Sequence, residues 1–233
     1  MNEGNPELEQ RIDQLLAGRN PRRVLEAGCG SASHIQFPEG TILSGIDISL
    51  KQLERNSHMH EKIVGDIQTY RLPENAYDMV VCWDVLEHLP EPEKALINFF
   101  RTVNEGGIVL MASPNVFTLR GLITKFTPHW FHVFYARKIA GYDWAGQDEN
   151  YPFVTFHRWA IAPKRIERLA RKHGMSVVSS KTFGFDHPEK RRVVFYAVWS
   201  AVDRLFSALT FGRIGTDEAA AFCIILQKNK HAA

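Results

Sequence analysis

The first half of the chain alternates between short apolar runs and segments with helical spacing of apolar residues. The apolar runs predict strands over 22–27, 41–47, 60–65, 77–83 and 108–112. Between the last two, Ala95, Leu96, Phe99 and Phe100 recur at the helical period and predict a helix over 91–104. Strands that alternate with helices indicate a doubly wound α/β sheet, whose ligand lies at the carboxyl ends of the strands.

The same patterns continue at both ends of the chain. They predict helices over 6–18, 49–55, 163–172 and 189–209, and strands over 175–183 and 220–227. Ser31 to Phe37 is cut short by Pro38 and predicts a helix of only about two turns. The helix over 189–209 carries a wide apolar stripe, which we expect to pack in the core.

The turn after the first strand carries an acid and two glycines, Glu26, Gly28 and Gly30. Glycine accepts positive φ and allows a ligand to approach the backbone closely. Ser33 stands where a dinucleotide fingerprint would place its third glycine. Glu26 would repel a pyrophosphate and attract an ammonium group, while Asp47 is placed to accept hydrogen bonds from ribose hydroxyls. The pattern favours S-adenosylmethionine over NAD.

Four segments resemble, in order and spacing, the motifs of class I S-adenosylmethionine-dependent methyltransferases. They are Val24–Gly30, Gly45–Ser49, Gly65–Ile67 and Tyr77–Leu89, and the resemblance covers about residues 20–115. It implies a Rossmann-like sheet of seven strands with an antiparallel last strand, S-adenosylmethionine as cofactor, and methyl transfer. The cofactor-binding residues that it implies are Glu26, Ala27, Gly28, Cys29, Gly30, Asp47, Ile48, Asp66, Ile67 and Trp83.

Two histidines are candidate catalytic residues, His88 and His157. Methyl transfer to a hydroxyl needs a positioned nucleophile and a proton acceptor, and the pKa of histidine suits the second task. His88 directly follows the fourth strand and its turn. His157 lies in a stretch similar to the His-x-Arg-x-x-x-Pro segment of many small-molecule methyltransferases, although Arg158 comes one place early.

Asp84, Glu87 and His88 are spaced so that one helical turn would bring them to one face. Some quinone-biosynthesis O-methyltransferases resemble this chain here, and an acid-x-x-Glu-His turn in them is tied to a metal. Many metal-free relatives carry the same turn. We therefore favour a structural or cofactor-cleft role over a catalytic base or a cation, and expect no metal.

The region 113–160 interrupts the regular pattern and holds 12 of the 26 aromatic residues. From Gly106 to Tyr142 it has no acidic residue, whereas Arg120, Lys125, Arg137 and Lys138 are basic. We interpret it as a lid of one or two amphipathic helices, inserted after strand five. An aromatic pocket over a small acceptor is favoured over a membrane-contacting surface. His129 and His132 are expected to pack within this lid.

Composition limits the alternatives further. The 233 residues fit a single domain, 1–233, and Lys plus Arg number 28 against 26 Asp plus Glu, so nucleic acid is not favoured. The cysteines Cys29, Cys82 and Cys223 have no metal-like spacing and indicate buried thiols in a reducing cytoplasm. We expect O-methylation of a small or lipid-linked metabolite, with peripheral membrane contact through the lid as an option. The alternatives are a catalytically inactive S-adenosylmethionine-binding partner or sensor, and an NAD-dependent oxidoreductase.

Overall fold

The fold is a seven-stranded sheet with helices on both faces. The computed structural model describes residues 6–33, 35–138, 141–146, 152–184 and 193–230, and only the backbone of 193–196. The strands are β1 Arg23–Ala27, β2 Ile42–Asp47, β3 Glu61–Val64, β4 Tyr77–Trp83, β5 Val103–Pro114, β6 Met175–Phe183 and β7 Ala221–Lys228. The α-helices in the described residues are α1 Pro6–Leu15, α2 Leu50–Arg55, α3 Pro92–Thr102, α4 Leu119–Phe126, α5 His129–Lys138, α6 Pro163–Lys172 and α7 Val193–Leu209.

The strand order is β3-β2-β1-β4-β5-β7-β6. The pairs from β3 through β5 are parallel, whereas β7 runs antiparallel to both β5 and β6. The predicted Rossmann-like sheet with an antiparallel last strand is therefore confirmed. The strand order reverses between β1 and β4, so their carboxyl ends open a crevice that is the usual ligand site of this architecture.

Alternate residues of β4 enter the two halves of the core. Val80 and Cys82 pack with apolar residues of α3 and α6, while Met79 and Val81 pack with residues of α1 and α2. Side chains along a strand point to opposite faces in turn, so helices cover both faces of β4. This buried strand fixes the position of the turn that follows it, residues 84–88, at the carboxyl edge of the sheet.

The predicted short helix over Ser31 to Phe37 is wrong for the described residues of that stretch, which form turns and bends. The hydroxyl of Ser33 donates to the carboxylate of Glu26 at 2.5 Å. A serine that hydrogen-bonds outside its own segment competes with helix formation, and seven residues are too few for a stable isolated helix. The loop that follows the glycine turn is therefore shaped by Glu26.

The prediction that the stripe on 189–209 packs in the core is also wrong for most of its described residues. Val198, Val202, Leu205 and Leu209 are all exposed, whereas Trp199, Asp203 and Phe206 face the protein. The predicted beginning of this helix at Glu189 lies outside the described residues. Within the part of the chain that is described, no helix is long and apolar enough to span a bilayer.

The region 113–160 contains two helices, α4 and α5, where one or two amphipathic helices were predicted. Only α4 is amphipathic, since the apolar residues of α5 are spread around the helix. Trp130 and Phe134 of α5 are 68% and 50% exposed. That this region works as a lid stays a prediction.

The three cysteines are all unpaired: Cys29 and Cys82 are buried and Cys223 is partly buried. Burial raises the pKa of Cys29 to about 12 and that of Cys223 to about 11, and it raises the pKa of Cys82 well above its ordinary value. The thiols therefore stay protonated and packed at neutral pH.

Candidate cofactor and acceptor site

The glycine turn after β1 has the geometry that its sequence predicts. Gly28 and Gly30 have φ values of +70° and +51°. The N–H of Gly28 donates to the carbonyl of Ile46 in β2 at 2.7 Å. A Cβ on Gly28 would lie 2.5 Å from Val85 Cγ2, so only glycine lets the turn pack on the segment after β4. A Cβ on Gly30 would meet nothing within 4 Å, so the second glycine faces open space.

Asp47 closes the turn from the neighbouring strand. Its Oδ2 accepts the N–H of Gly30 at 2.9 Å, and its Oδ1 accepts the N–H of Ser49 at 2.8 Å. Each carboxylate oxygen has a second lone pair, so both can still accept ribose hydroxyls. Ile48, the next residue, is 76% exposed and offers an apolar surface at the same strand end.

Glu26 is buried beneath this turn, where its carboxylate accepts the Ser33 hydroxyl. Ala27 and Cys29 are also buried, whereas Gly28 and Gly30 are partly exposed. Ile67 packs in the core, so its expected contact with the cofactor stays a prediction. Trp83 is partly buried at the end of β4.

Asp66 lies at the beginning of the loop after β3, and its carboxylate holds this loop. Its Oδ1 accepts the backbone N–H of Gln68 at 2.8 Å and the Gln68 amide at 3.0 Å. The backbone carbonyl of Asp66 accepts the N–H of Tyr70 at 2.7 Å. The side chain therefore fixes a tight loop whose backbone lies beside the end of β2.

The turn after β4 joins the cofactor side of the crevice to residues 153–157. Asp84 has a φ of +52°, and a 3₁₀ helix covers Leu86–His88. The carbonyl of Glu87 accepts two N–H groups, from Phe156 at 2.8 Å and from His157 at 3.1 Å. The segment that carries the candidate catalytic residue His157 is thus held directly by the turn that Gly28 packs against.

His157 is 2% exposed and has a φ of +42°, a conformation that non-glycine residues adopt mainly under tertiary constraint. Its carbonyl accepts the ammonium of Lys125 at 2.9 Å. Among the described residues, its Nδ1 is one of three buried side-chain atoms without a hydrogen-bond partner. Burial, with smaller contributions from the nearby His88, Lys125 and His132, lowers the pKa of His157 to about 4.

The side chain of Glu87, the residue before His88, is almost completely buried. Ser113 donates its hydroxyl to Oε2 of Glu87 at 3.0 Å. Burial, with a smaller contribution from the charge of Asp84, raises the pKa of Glu87 to about 8. The carboxyl group therefore carries a proton at neutral pH and is not a base there.

His88 occupies the other side of this turn. Its Nδ1 lies 2.7 Å from the carbonyl of Val154, so Nδ1 carries the proton and Nε2 is the acceptor in the neutral ring. Burial lowers the pKa of His88. Nε2 is 3.8 Å from Glu87 Oε1, which is too long for a hydrogen bond, and Phe153 packs its ring edgewise at 5.7 Å.

The expected alignment of Asp84, Glu87 and His88 on one helical face is not found. The turn is a 3₁₀ helix that begins after Asp84, and the Glu87 carboxyl points to Ser113. The Asp84 side chain reaches solvent, but surrounding protein atoms remove part of its hydration and raise its pKa to about 6. Across the described ranges, no group of three His, Cys, Asp or Glu side chains is arranged to hold a metal ion.

Of the other two histidines of the insertion, His132 lies near His157. His132 Nε2 is 2.6 Å from the Thr127 hydroxyl, and burial and His129 lower the pKa of His132.

Sequence reasoning missed Ser113 and Lys125 as members of the site. They lie 26 and 32 residues from their partners Glu87 and His157, and no local motif marks either one.

The sequence matches the family described as "Methyltransferase domain" over residues 2–180. The ubiquinone biosynthesis O-methyltransferase of Nitrosomonas europaea is 29% identical over 126 residues, which are 49% of this chain and 53% of that protein. The protein of the same name from Pseudomonas fluorescens Pf0-1 is 30% identical over 146 residues, which are 54% of this chain and 60% of that protein. The chain thus spans little more than half the length of these relatives.

A similar fold occurs in the crystal structure of an S-adenosylmethionine-dependent methyltransferase from Mesorhizobium loti. Its TM-score is 0.57 at 13% identity, with 94% of this chain and 96% of that chain covered. The residues at the crevice fit this cofactor, because Gly30 faces open space and Asp47 keeps acceptor lone pairs at the end of β2. By its sequence match, its motifs and its sheet, the chain belongs to the methyltransferase domain family, among the class I S-adenosylmethionine-dependent methyltransferases.

Proposed function

We propose that this protein transfers the methyl group of S-adenosylmethionine to a hydroxyl oxygen of a small or lipid-linked molecule. The observation that carries the proposal is His157, a buried neutral imidazole whose Nδ1 has no protein partner among the described residues. It is held by the Glu87 carbonyl, next to the turn that packs on Gly28. The relatives named as O-methyltransferases support oxygen as the methylated atom.

The cofactor supplies an activated methyl carbon, so the protein has to place the acceptor oxygen and take its proton. The lowered pKa keeps His157 unprotonated at neutral pH, and Nδ1 is then a proton acceptor when Nε2 carries the hydrogen. The Lys125 ammonium, 2.9 Å from the His157 carbonyl, places positive charge close by. A positive charge there stabilises the negative charge that develops on the acceptor oxygen.

The inner side of the insertion suits an aromatic acceptor. Phe117 and Trp159 stack with centroids 5.1 Å apart, and the Lys125 ammonium lies 4.7 Å from the Trp159 ring centre. An acceptor ring placed beside them would gain aromatic contacts and a nearby cation. We therefore place the acceptor under the insertion, with α4 and α5 as its cover and His88 at its edge.

The test is formation of S-adenosylhomocysteine from S-adenosylmethionine with a panel of hydroxylated aromatic acceptors. We expect turnover with at least one phenolic acceptor, and a fall of about 100-fold or more in kcat for His157→Ala. His173→Ala is the matched control, because His173 is exposed at the end of α6. Cofactor binding without turnover on any acceptor would favour the alternative of a catalytically inactive binding protein.

A further inference from the structure

Helix α7 has one face that is anchored to the protein. Trp199 donates its Nε1–H to the carboxylate of Asp217 at 2.6 Å, and the N–H of Asp217 donates to Asp203 at 2.7 Å. Arg120 of α4 pairs with the same Asp217 carboxylate at 3.0 Å. These contacts fix the rotation of α7 about its axis, because Trp199, Asp203 and Phe206 follow the helical period.

The opposite face of α7 is apolar and exposed. We name it the apolar ridge, and it comprises Val198, Val202, Leu205, Leu209 and Phe211. Its exposures run from 48% at Val202 to 92% at Phe211. The positions 198, 202, 205 and 209 lie on one stripe of the helix, and Phe211 follows directly after its end.

The ridge continues towards a second apolar element. α4 packs against α7, and its residues Ile123 and Phe126 are exposed, Phe126 to 74%. Large exposed apolar surfaces often mark interaction sites. Single exposed apolar residues would need no explanation, but four at helical spacing, followed directly by Phe211, do.

The charge around the ridge has one sign. Among the described residues 193–216 the single acidic residue is Asp203, which is buried, whereas Arg204 and Arg213 are basic and exposed. The neighbouring α4 also has no acidic residue. A second copy of this chain would bring this positive charge against itself, which disfavours self-association. The surface is therefore complementary to a partner that is both apolar and anionic.

We propose that the apolar ridge, with the flanking basic residues, docks this protein on the surface of an anionic lipid bilayer. Interfacial helices place apolar residues a few ångströms below the headgroups and basic residues among them. The 17 described residues of α7 are fewer than the roughly 20 apolar residues that a span needs, so we expect the helix to lie on the bilayer. This inference rests on α7 and stands independently of the methyl acceptor.

The experiment is co-sedimentation of the full chain with phosphatidylglycerol vesicles and with phosphatidylcholine vesicles, over a series of salt concentrations. We expect binding to the anionic vesicles that weakens as salt rises. Leu205→Gln combined with Leu209→Gln should weaken binding about tenfold or more, because two buried leucines are lost. Arg204→Glu should weaken it about fivefold or more.

Ile97→Gln is the matched apolar control, since Ile97 is exposed on α3. Arg168→Glu is the charge control, on the basic exposed face of α6. Circular dichroism should show that all variants fold. Loss of binding in Arg168→Glu with none in the leucine variant would overturn the proposal, as would the absence of vesicle binding at low salt. A concentration-dependent dimer that the leucine substitutions abolish would overturn it in favour of self-association.

Discussion

His157 couples the acceptor site to the stability of the fold through its proton. Its pKa is about 4 in the native state against 6.5 for an ordinary histidine. Between these pH values the unfolded chain binds a proton that the native chain does not, so stability falls as the pH falls. From about pH 7.5 to about pH 5, wild type should lose about 2 kcal/mol more than His157→Gln.

Urea unfolding of both proteins at the two pH values measures this difference. Glu87 titrates in the opposite sense, because its raised pKa makes the native state bind the additional proton. It is present in both proteins, so its contribution cancels in the comparison. Equal pH dependence in wild type and variant would show that His157 is not held neutral by burial.

Asp47 is the residue on which cofactor recognition most directly depends. Asp47→Ala should weaken S-adenosylmethionine binding by about 1–3 kcal/mol, since ribose hydroxyls lose their acceptor. The same change removes the partners of the Gly30 and Ser49 N–H groups. Asp47→Asn keeps one acceptor oxygen and turns an NH2 donor towards one of these N–H groups, so it should also weaken binding. Titration calorimetry that finds wild-type affinity in Asp47→Ala would refute the ribose role.

At the scale of elements, the two glycines of the turn after β1 differ in what they require. Both have positive φ, but only at Gly28 would a Cβ collide, with Val85. Gly30→Ala should therefore cost only the conformational penalty of about 1–2 kcal/mol. Gly28→Ala should cost this penalty plus about 1–3 kcal/mol for the overlap.

Val85→Ala should recover part of the loss in Gly28→Ala and none of the loss in Gly30→Ala. Unfolding free energies of the single and double variants give the coupling between the two positions. Additive effects of Gly28→Ala and Val85→Ala would mean that the turn moves away from β4 instead of pressing on it.

Much of the sheet could be predicted from the sequence, because buried strands have continuous apolar runs. The bounds predicted for β4 and β6, 77–83 and 175–183, match the structure. The orientation of α7 could not be predicted, because both of its faces are apolar. Its inward face is determined by the contacts of Trp199 and Asp203 with Asp217, which lies beyond the end of the helix.

Part of the candidate site could likewise be predicted from the sequence, and part could not. Local motifs predicted Gly28, Gly30 and Asp47, because a turn and a strand end are features of neighbouring residues. Lys125 could not be found, since its contact with His157 exists only after the insertion folds back. The catalytic roles of His88 and His157 remain predictions, as does the single domain over 1–233.

At the scale of the whole molecule, cofactor binding should stabilise the native state. A ligand at about 100 times its Kd adds about 2.7 kcal/mol to the free energy of unfolding. S-adenosylhomocysteine should therefore raise the melting temperature, and NAD should not. The shift should shrink in Asp47→Ala at equal ligand concentration. A larger shift with NAD than with S-adenosylhomocysteine would contradict the assignment of the crevice.

The burial of Cys29 and Cys82 and the partial burial of Cys223 make site-specific labelling straightforward. Maleimides react with the thiolate, and the raised pKa values of Cys29, Cys82 and Cys223 leave almost none of it at neutral pH. A cysteine introduced at Phe134 or Val202, both exposed, would have an ordinary pKa of about 8.5 and react far faster. One fluorophore or spin label could then follow α5 or α7 in the otherwise native chain.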